Sequence, residues 1–439
     1  MYIYQDLITR SSEGKPIRVG LIGAGKFGSM FLSQIPTSRG LKVSVITDLD
    51  VDRAKQRCRD VGWSNERIAS TRFMDNAFAM CEEAAIDVVV EATGDPVVGV
   101  AHADAAINAG LHIVMVNVEA DVLAGALMTR KAKAAGVVYS MAYGDQPALI
   151  CELVEWAQAC GFDVVAAGKG TKYLASYHAS TPDTVWEHYG LTPSQAAKGG
   201  MNSKMFNSFL DGTKSALEMA AVANATYLTP APDGLTFPPV GVDKLANVLR
   251  PKKDGGCLHH KGQVEVVSSL ERDGSPVSRD LRWGVYVVIE APNDYTASCF
   301  KEYGMNTDET GRYAAMYKPF HLIGLELNIS VLSAAINNKP TGSNQGFVSD
   351  VVATAKRDLK AGEVLDGEGG YTVYGTLMPS EQSLKIGGLP IGLSDGVRLN
   401  APVLAGQQLC WSHVDMDETS LVLGLRREME KICTPVKAA

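Results

Sequence analysis

Ile17-Arg18-Val19-Gly20-Leu21-Ile22-Gly23-Ala24-Gly25-Lys26-Phe27-Gly28 is the stretch that decides the fold. Ile17 to Ile22 is a short apolar run ending in glycine, the pattern of a strand buried on both faces of a parallel sheet. Gly23, Gly25 and Gly28 form G-x-G-x-x-G, and Phe27 to Ile35 continues with helical spacing. A second apolar run, Leu41 to Ile46, leads to Asp48, 20 residues past Gly28. Strand, glycine turn, helix and acidic strand end together make a dinucleotide-binding signature. Gly23 allows the turn, Gly25 lets backbone approach a pyrophosphate, and Gly28 lets the helix pack closely. Lys26 and Phe27 open the helix whose free N–H groups would face that anion. The competing reading is a tight βα turn with no nucleotide.

Working outward, strand and helix patterns alternate. Ile86 to Glu91 is a strand, Val97 to Ala109 a helix, Leu111 to Asn117 a strand, Ala124 to Ala135 a helix and Val137 to Met141 a strand. That alternation predicts a doubly wound α/β fold, a Rossmann-type parallel sheet spanning 1–150. Ala92, Thr93 and Gly94 follow the Ile86–Glu91 run, where small residues leave room for a nicotinamide ribose. Asn117, at the next strand end, joins them as a cofactor contact. Asp48 favours NAD, because a carboxylate accepts from ribose hydroxyls and repels a 2′-phosphate. Arg53 and Lys55 lie close enough in sequence to accommodate NADP.

The pattern changes near residue 150. A helix over 150–159, a strand over 164–168, one long helix over Asn202 to Asn224 and a strand over 283–290 predict an α+β catalytic and subunit-contact domain over 151–344. Residues 228–280, rich in Pro, Gly and charge, read as loop. Short apolar runs between glycines predict a small all-β module over 345–439, closed by a helix from Glu418 to Cys433.

The chain has 439 residues and a formal charge of −8, with 46% hydrophobic and 21% charged residues. That is an ordinary globular balance for two or three domains. The acidic balance argues against a nucleic-acid partner. Eight scattered cysteines form no C-x-x-C pair, which fits a reducing compartment. No apolar segment reads as a signal peptide or a membrane span. A cytoplasmic protein with a small-molecule substrate is expected.

Hydride exchange between an alcohol and a carbonyl needs a proton donor and a stabiliser of alkoxide charge. Lys169, between two glycines after an apolar strand, is the leading candidate; a surface loop lysine is the alternative. Asp211, Lys214 and Glu218 share one face if 202–224 is a single helix, with Asn224 further along it. A solvated ion-pair ladder competes with that reading. Glu119, Asp121 and Asp145 follow strands at the carboxyl edge of the sheet, where ligands bind in open α/β folds; helix capping is their alternative. His321, beside Lys318 and ahead of Glu326, is a further candidate. No sequence-local metal motif exists, so no metal ligand is assigned. Glu119, Asp145, Asp211 and Glu218 could nonetheless offer oxygens to Mg²⁺ or Mn²⁺. Lys169, Lys172, Lys198, Lys204 and Lys214 are available for a phosphorylated substrate.

Six motifs run over nearly the whole chain: GLIGAGKFG, VVVEATGDP, MVNVEADV, AAGKG (Ala166 to Gly170), FLDGTKSALEMAAVANAT (Phe209 to Thr226) and KPFHLIGLE (Lys318 to Glu326). Together they resemble the homoserine-dehydrogenase-like oxidoreductases with a C-terminal SAF domain, including the 1-deoxy-D-xylulose 5-phosphate reductoisomerase-like family. Lys356 to Gly375 is similar to the SAF module itself. The resemblance implies an NAD(P)-dependent enzyme, a homo-oligomer, acting on a small hydroxylated or oxo substrate. A polyol, a sugar derivative or a hydroxy acid would fit, with a ketol rearrangement preceding reduction in the reductoisomerase-like case. Asp48 departs from what an NADPH-using relative should carry. Reduction of an amino-acid semialdehyde and a non-catalytic nucleotide sensor remain the alternatives.

Overall fold

The computed structural model describes residues 3–82, 85–198 and 201–432. Cys433, the outer end of the expected C-terminal helix, lies outside them. The chain divides into two compact units. Of the described residues, one contains those within 3–149, 321–345 and 424–432, and the other those within 150–320 and 346–423.

In the first unit six parallel strands make one sheet: β1 (Ile17–Ile22), β2 (Leu41–Thr47), β3 (Arg72–Met74), β4 (Val88–Glu91), β5 (His112–Met115) and β6 (Tyr139–Met141). Their spatial order is β3-β2-β1-β4-β5-β6. This is the Rossmann order, with its switch point between β1 and β4. Val19, Leu21, Val88, Val90 and Val114 are buried in one core with Phe31 and Leu32 from the helix Lys26–Gln34. The strands read as continuous apolar runs because both faces are covered. Leu327, Val331 and Leu332 join the same core. Residues 321–345 therefore group with this sheet, although composition drew the middle domain across them. The apolar face of the helix Asn328–Asn337 decides where that segment goes.

The second unit holds a mixed sheet of β7 (Asp163–Thr171), β8 (Gln263–Ser268), β9 (Val285–Glu290), β10 (Asn306–Thr307) and β11 (Tyr313–Lys318), in the order β10-β11-β9-β7-β8. β7 runs parallel to β8 and antiparallel to β9. Further along, β12 (Ser349–Ala355) pairs with β14 (Val373–Pro379), and β13 (Val364–Asp366) with β15 (Asp395–Arg398), both antiparallel. The helix Thr213–Thr226 packs against β8, β12 and β14 and is buried along most of its length, which explains its alanine-rich sequence. Residues 346–423 belong to the same compact unit as 150–320.

Several expectations need correction. The long helix over 202–224 is two helices, Ser203–Leu210 and Thr213–Thr226. They break at Gly212, whose φ of +91° suits glycine and not a continuing α-helix. Asp211 is thus not on the Lys214–Glu218 face. Lys169 lies inside β7 and not in a loop after it. The helix expected from Ala124 begins at Val118, capped by Asn117, so Glu119 and Asp121 sit in its first turn. β8 runs through the stretch read as loop, and a helix, Ser380–Ile386, lies within the region read as all-β. No helix among the described residues is long and apolar enough to cross a membrane.

Candidate functional site

The first candidate is the glycine turn between β1 and the helix Lys26–Gln34. Gly23 takes φ +91°, and a Cβ there would come 2.8 Å from the Ala92 carbonyl oxygen. A Cβ on Gly28 would come 2.1 Å from the Gly23 carbonyl oxygen, so only glycine lets this helix sit on the turn. Gly25 differs: a Cβ there would meet nothing within 4 Å. It borders open space, and as the N-cap it supplies no side-chain acceptor to the helix. The first-turn N–H groups, with Lys26 and Phe27 at their start, therefore lack a side-chain cap and face a position suited to an anion. These features fit a dinucleotide pyrophosphate.

Asp48 fixes the turn from beneath. Its Oδ2 accepts from the Ala24 N–H at 2.9 Å, and its Oδ1 from the Asp50 N–H at 3.0 Å and from Arg53 Nη2 at 3.1 Å. The carboxylate expected to meet a ribose is thus also a clamp on the glycine turn. Beside it, Gly94 takes φ +79° with open space at its missing side chain. Glu91, at the end of β4, is fully buried. Its Oε1 accepts from the Thr93 N–H at 3.2 Å and from the Thr93 hydroxyl, and lies 3.5 Å from His102 Nδ1. Glu91 fixes the Ala92–Gly94 bend, a role that an acid in an apolar strand run did not advertise. Asn117 spends its carboxamide on protein, accepting from the Ala120 N–H and donating to the Asp95 carbonyl. It shapes the loop over 92–95, tying that loop to the first turn of the helix Val118–Ala134.

Glu119 and Asp145 are buried in this unit, and His321 is half-buried. Asp145 Oδ1 accepts from the Gln146 N–H at 2.8 Å. Asp121 is buried with Tyr139 and Asn344, which donate to its Oδ1 at 3.0 and 2.8 Å. Burial raises its carboxyl to about 6, against the lowering effect of those two hydrogen bonds. A folded-state value above the ordinary one, near 4, means that the native state holds the proton more tightly than the unfolded chain. The resulting stability is complete below pH 4 and lost as the pH rises through 6, about 3 kcal/mol in all. Denaturant titrations from pH 4 to 7 should show this decline. In Asp121→Asn that part of the slope disappears; an unchanged slope would mean that Asp121 is ionised throughout.

The second candidate lies in the other unit. Lys169 on β7 forms a buried ion pair with Glu218 on the helix Thr213–Thr226. The glycines on either side serve packing: a Cβ on Gly168 would come 1.8 Å from the Glu265 carbonyl oxygen, and one on Gly170 2.0 Å from that of Leu281. Strand alternation then sends the Lys169 stem to the opposite face, toward the helix.

A neighbouring cluster surrounds Asp211. Lys356 Nζ lies 2.8 Å from Asp211 Oδ2 and donates to the carbonyls of Ser180 and Gly370, each at 2.7 Å. Asp211 Oδ1 accepts from the Thr213 N–H at 2.9 Å. Burial raises the Asp211 carboxyl, with Lys356 opposing that shift. His178 Nδ1 is 2.7 Å from the Asp211 carbonyl oxygen and Nε2 is 2.9 Å from the Tyr173 hydroxyl; burial lowers its pKa. Asn224 is a strut: its Oδ1 accepts from the N–H groups of Val348 and Ser349, and its amide donates to the Ser349 carbonyl. Lys214 is half-buried in the first turn of its helix. His178 and Lys356 escaped sequence reading because neither sits in a periodic segment near its partners.

The four carboxylates considered for a divalent ion do not assemble. Among the described residues no group of three or more His, Cys, Asp or Glu could hold a metal. Asp211 is committed to Lys356 and Glu218 to Lys169, while Glu119 and Asp145 belong to the other unit.

Two family models match the chain. Residues 23–140 match the homoserine dehydrogenase NAD binding domain, and residues 144–327 match the oxidoreductase DRL catalytic domain. No curated protein is recognisably similar in sequence. Solved structures with partial similarity include an oxidoreductase domain protein from Kribbella flavida, 20% identical over 36% of this chain and 43% of that one, TM-score 0.28. Another is scyllo-inositol dehydrogenase from Lactobacillus casei with bound NAD(H) and scyllo-inositol, 16% identical over 39% and 50%, TM-score 0.28. A third is the WlbA dehydrogenase from Bordetella pertussis with NADH and UDP-GlcNAcA, 19% identical over 36% and 47%, TM-score 0.28. The chain spans half or less of the length of each of these proteins.

Proposed function

We propose that this NAD(P)-dependent oxidoreductase, built from a homoserine-dehydrogenase-type NAD-binding domain followed by a catalytic domain of the oxidoreductase DRL type, reduces or oxidises a small hydroxylated or oxo substrate such as a polyol, sugar derivative or hydroxy acid. The observation that carries the reading is the glycine turn: an uncapped helix N-terminus beside the open space at Gly25, set in a sheet of Rossmann order. The dinucleotide supplies or accepts the hydride when bound. Gly23 to Gly28 hold its pyrophosphate, and Ala92 to Gly94 border its nicotinamide half.

The chain's own chemistry falls to Lys169 and Glu218. Lys169 Nζ donates a hydrogen bond to the substrate oxygen and stabilises the negative charge that grows there. Burial strengthens that interaction by keeping water away. Glu218 orients the ammonium and balances its charge while the site is empty of substrate. Following loss of reduced-nicotinamide absorbance across polyols, ketoses, oxo acids and amino-acid semialdehydes tests the reading. Saturable turnover with a ketose or oxo acid is expected. Turnover with a semialdehyde alone would favour the homoserine-dehydrogenase-type reaction, and nucleotide binding without any turnover would favour a sensor.

Asp48 makes NAD the preferred cofactor in this reading. Asp48→Ala removes the carboxylate and frees the Arg53 guanidinium for a 2′-phosphate. The ratio of NADPH to NADH affinity should rise roughly tenfold, the gain of one charge-assisted contact. An unchanged ratio would show that Asp48 does not select.

A further inference from the structure

A cleft of about 230 Å³ lies at the amino edge of the parallel sheet in the first unit, lined by Arg10, Asp87 and His112 together with Gly110 and Leu111. Asp87 immediately precedes β4, and His112 opens β5. Both strands run from the cleft toward the edge that carries the glycine turn and the Ala92–Gly94 bend. β4 alone puts roughly 13 Å of strand between the cleft and that bend, so the cleft is no part of the nucleotide position.

The polar groups on its wall are unevenly satisfied. Arg10, near the end of the helix Ile3–Ser12, is half-buried. Its Nε is buried and has no hydrogen-bond partner among the described residues. Asp87 is committed to Arg18: its Oδ2 accepts from the Arg18 N–H at 2.7 Å and from Nε at 3.1 Å, and its Oδ1 from Nη2 at 2.7 Å. Burial favours the neutral carboxyl, but the Arg18 hydrogen bonds and the charges of Arg18 and Arg10 hold it below its ordinary range. His112 Nδ1 accepts from the Val138 N–H at 3.0 Å, so the neutral ring carries its proton on Nε2. Burial lowers the His112 pKa, with Asp87 opposing, and the ring is neutral at pH 7. Two guanidinium groups, one carboxylate and a neutral imidazole leave a surplus of one positive charge.

A buried guanidinium donor without an acceptor is costly, and an oxyanion beside it relieves that cost. A planar carboxylate matches the guanidinium fork. Asp87 repels a second negative charge, which disfavours a dianion, while its oxygens can still accept from a ligand hydroxyl. We propose that this cleft is a second ligand site, taking a small hydroxycarboxylate monoanion. Arg10 holds the carboxylate, with the His112 Nε2–H beside it, and Asp87 accepts from the hydroxyl. The site stands apart from the oxidoreductase reading and does not depend on it.

The full chain, carrying nitrogen-15-labelled histidine, is titrated with glycolate, glycolamide, acetate and inorganic phosphate at constant ionic strength. Glycolate is expected to shift the ring signal of His112, identified by its loss in His112→Gln, in a saturable way. Glycolamide, the neutral analogue, should leave it in place. Acetate, which lacks the hydroxyl, and phosphate, which carries more charge, should both bind more weakly than glycolate. Arg10→Gln should weaken glycolate affinity roughly tenfold, the scale of one charged hydrogen bond, and keep wild-type NADH affinity and thermal stability. Calorimetry of glycolate binding to the wild-type chain and Arg10→Gln makes the same comparison if His112→Gln fails to fold. No saturable binding of glycolate, an equal response to glycolamide, tighter binding of phosphate than of glycolate, or wild-type glycolate affinity in Arg10→Gln overturns the site.

Discussion

Gly28→Ala should reduce NADH affinity by at least about 100-fold and lower the stability of the chain by about 3 kcal/mol. The added carbon would stand 2.1 Å from the Gly23 carbonyl oxygen, which is backbone and cannot rotate away. The helix Lys26–Gln34 must lift from β1, taking its N–H groups away from the pyrophosphate position. Gly25→Val separates folding from binding. Gly25 has φ −69° and ψ −156°, and its missing side chain faces open space, so a larger residue fits the fold and fills the cofactor position. Its thermal stability should stay within about 0.5 kcal/mol of wild type while NADH affinity falls as far as in Gly28→Ala. Calorimetric titration and thermal denaturation check both. Full NADH affinity in Gly25→Val would remove the nucleotide from this turn.

Lys169→Met should abolish turnover, by about 10³-fold or more, while leaving NADH affinity within a factor of about three. Methionine keeps the stem and loses the donor. Glu218→Gln should lower activity and stability together, and either single variant should cost about 3–5 kcal/mol, because it leaves one buried group of the pair without its partner. The double variant Lys169→Met/Glu218→Leu replaces the pair with apolar groups. It should recover most of that stability and none of the activity. Initial rates and denaturant curves on the three variants separate the two roles. Appreciable turnover in Lys169→Met would move the stabiliser of the substrate oxygen elsewhere.

The nucleotide-binding half was legible because local signals and the fold agree there. β4 is an apolar run buried throughout, β1 is buried at all but Arg18 and β2 from Val45 onward, and Gly23 and Gly28 are required by close backbone contacts at the turn. The catalytic half was harder. A break such as Asp211-Gly212 is invisible to periodicity when apolar residues flank it on both sides. β8 was hidden because its surroundings are rich in Pro, Gly and charge, although its own six residues are all buried. Lys169 and Glu218 are each candidates in the sequence, but their pairing is not legible there. Glu218 lies 49 positions away and is brought to it only by the packing of the helix Thr213–Thr226 against β7. The His178–Asp211–Lys356 cluster is likewise a product of long-range packing, joining residues from three separate parts of the sequence. Asn117 and Asn224 carry functional-looking side chains that bond to backbone within the fold, and a sequence cannot show where an amide finds its partners.

Isothermal titration of the wild-type chain with NADH and NADPH tests the central claim most directly. A single saturable site per chain, tighter for NADH, is the result expected of an uncapped helix N-terminus under a turn that Asp48 clamps. No heat with either nucleotide would contradict it.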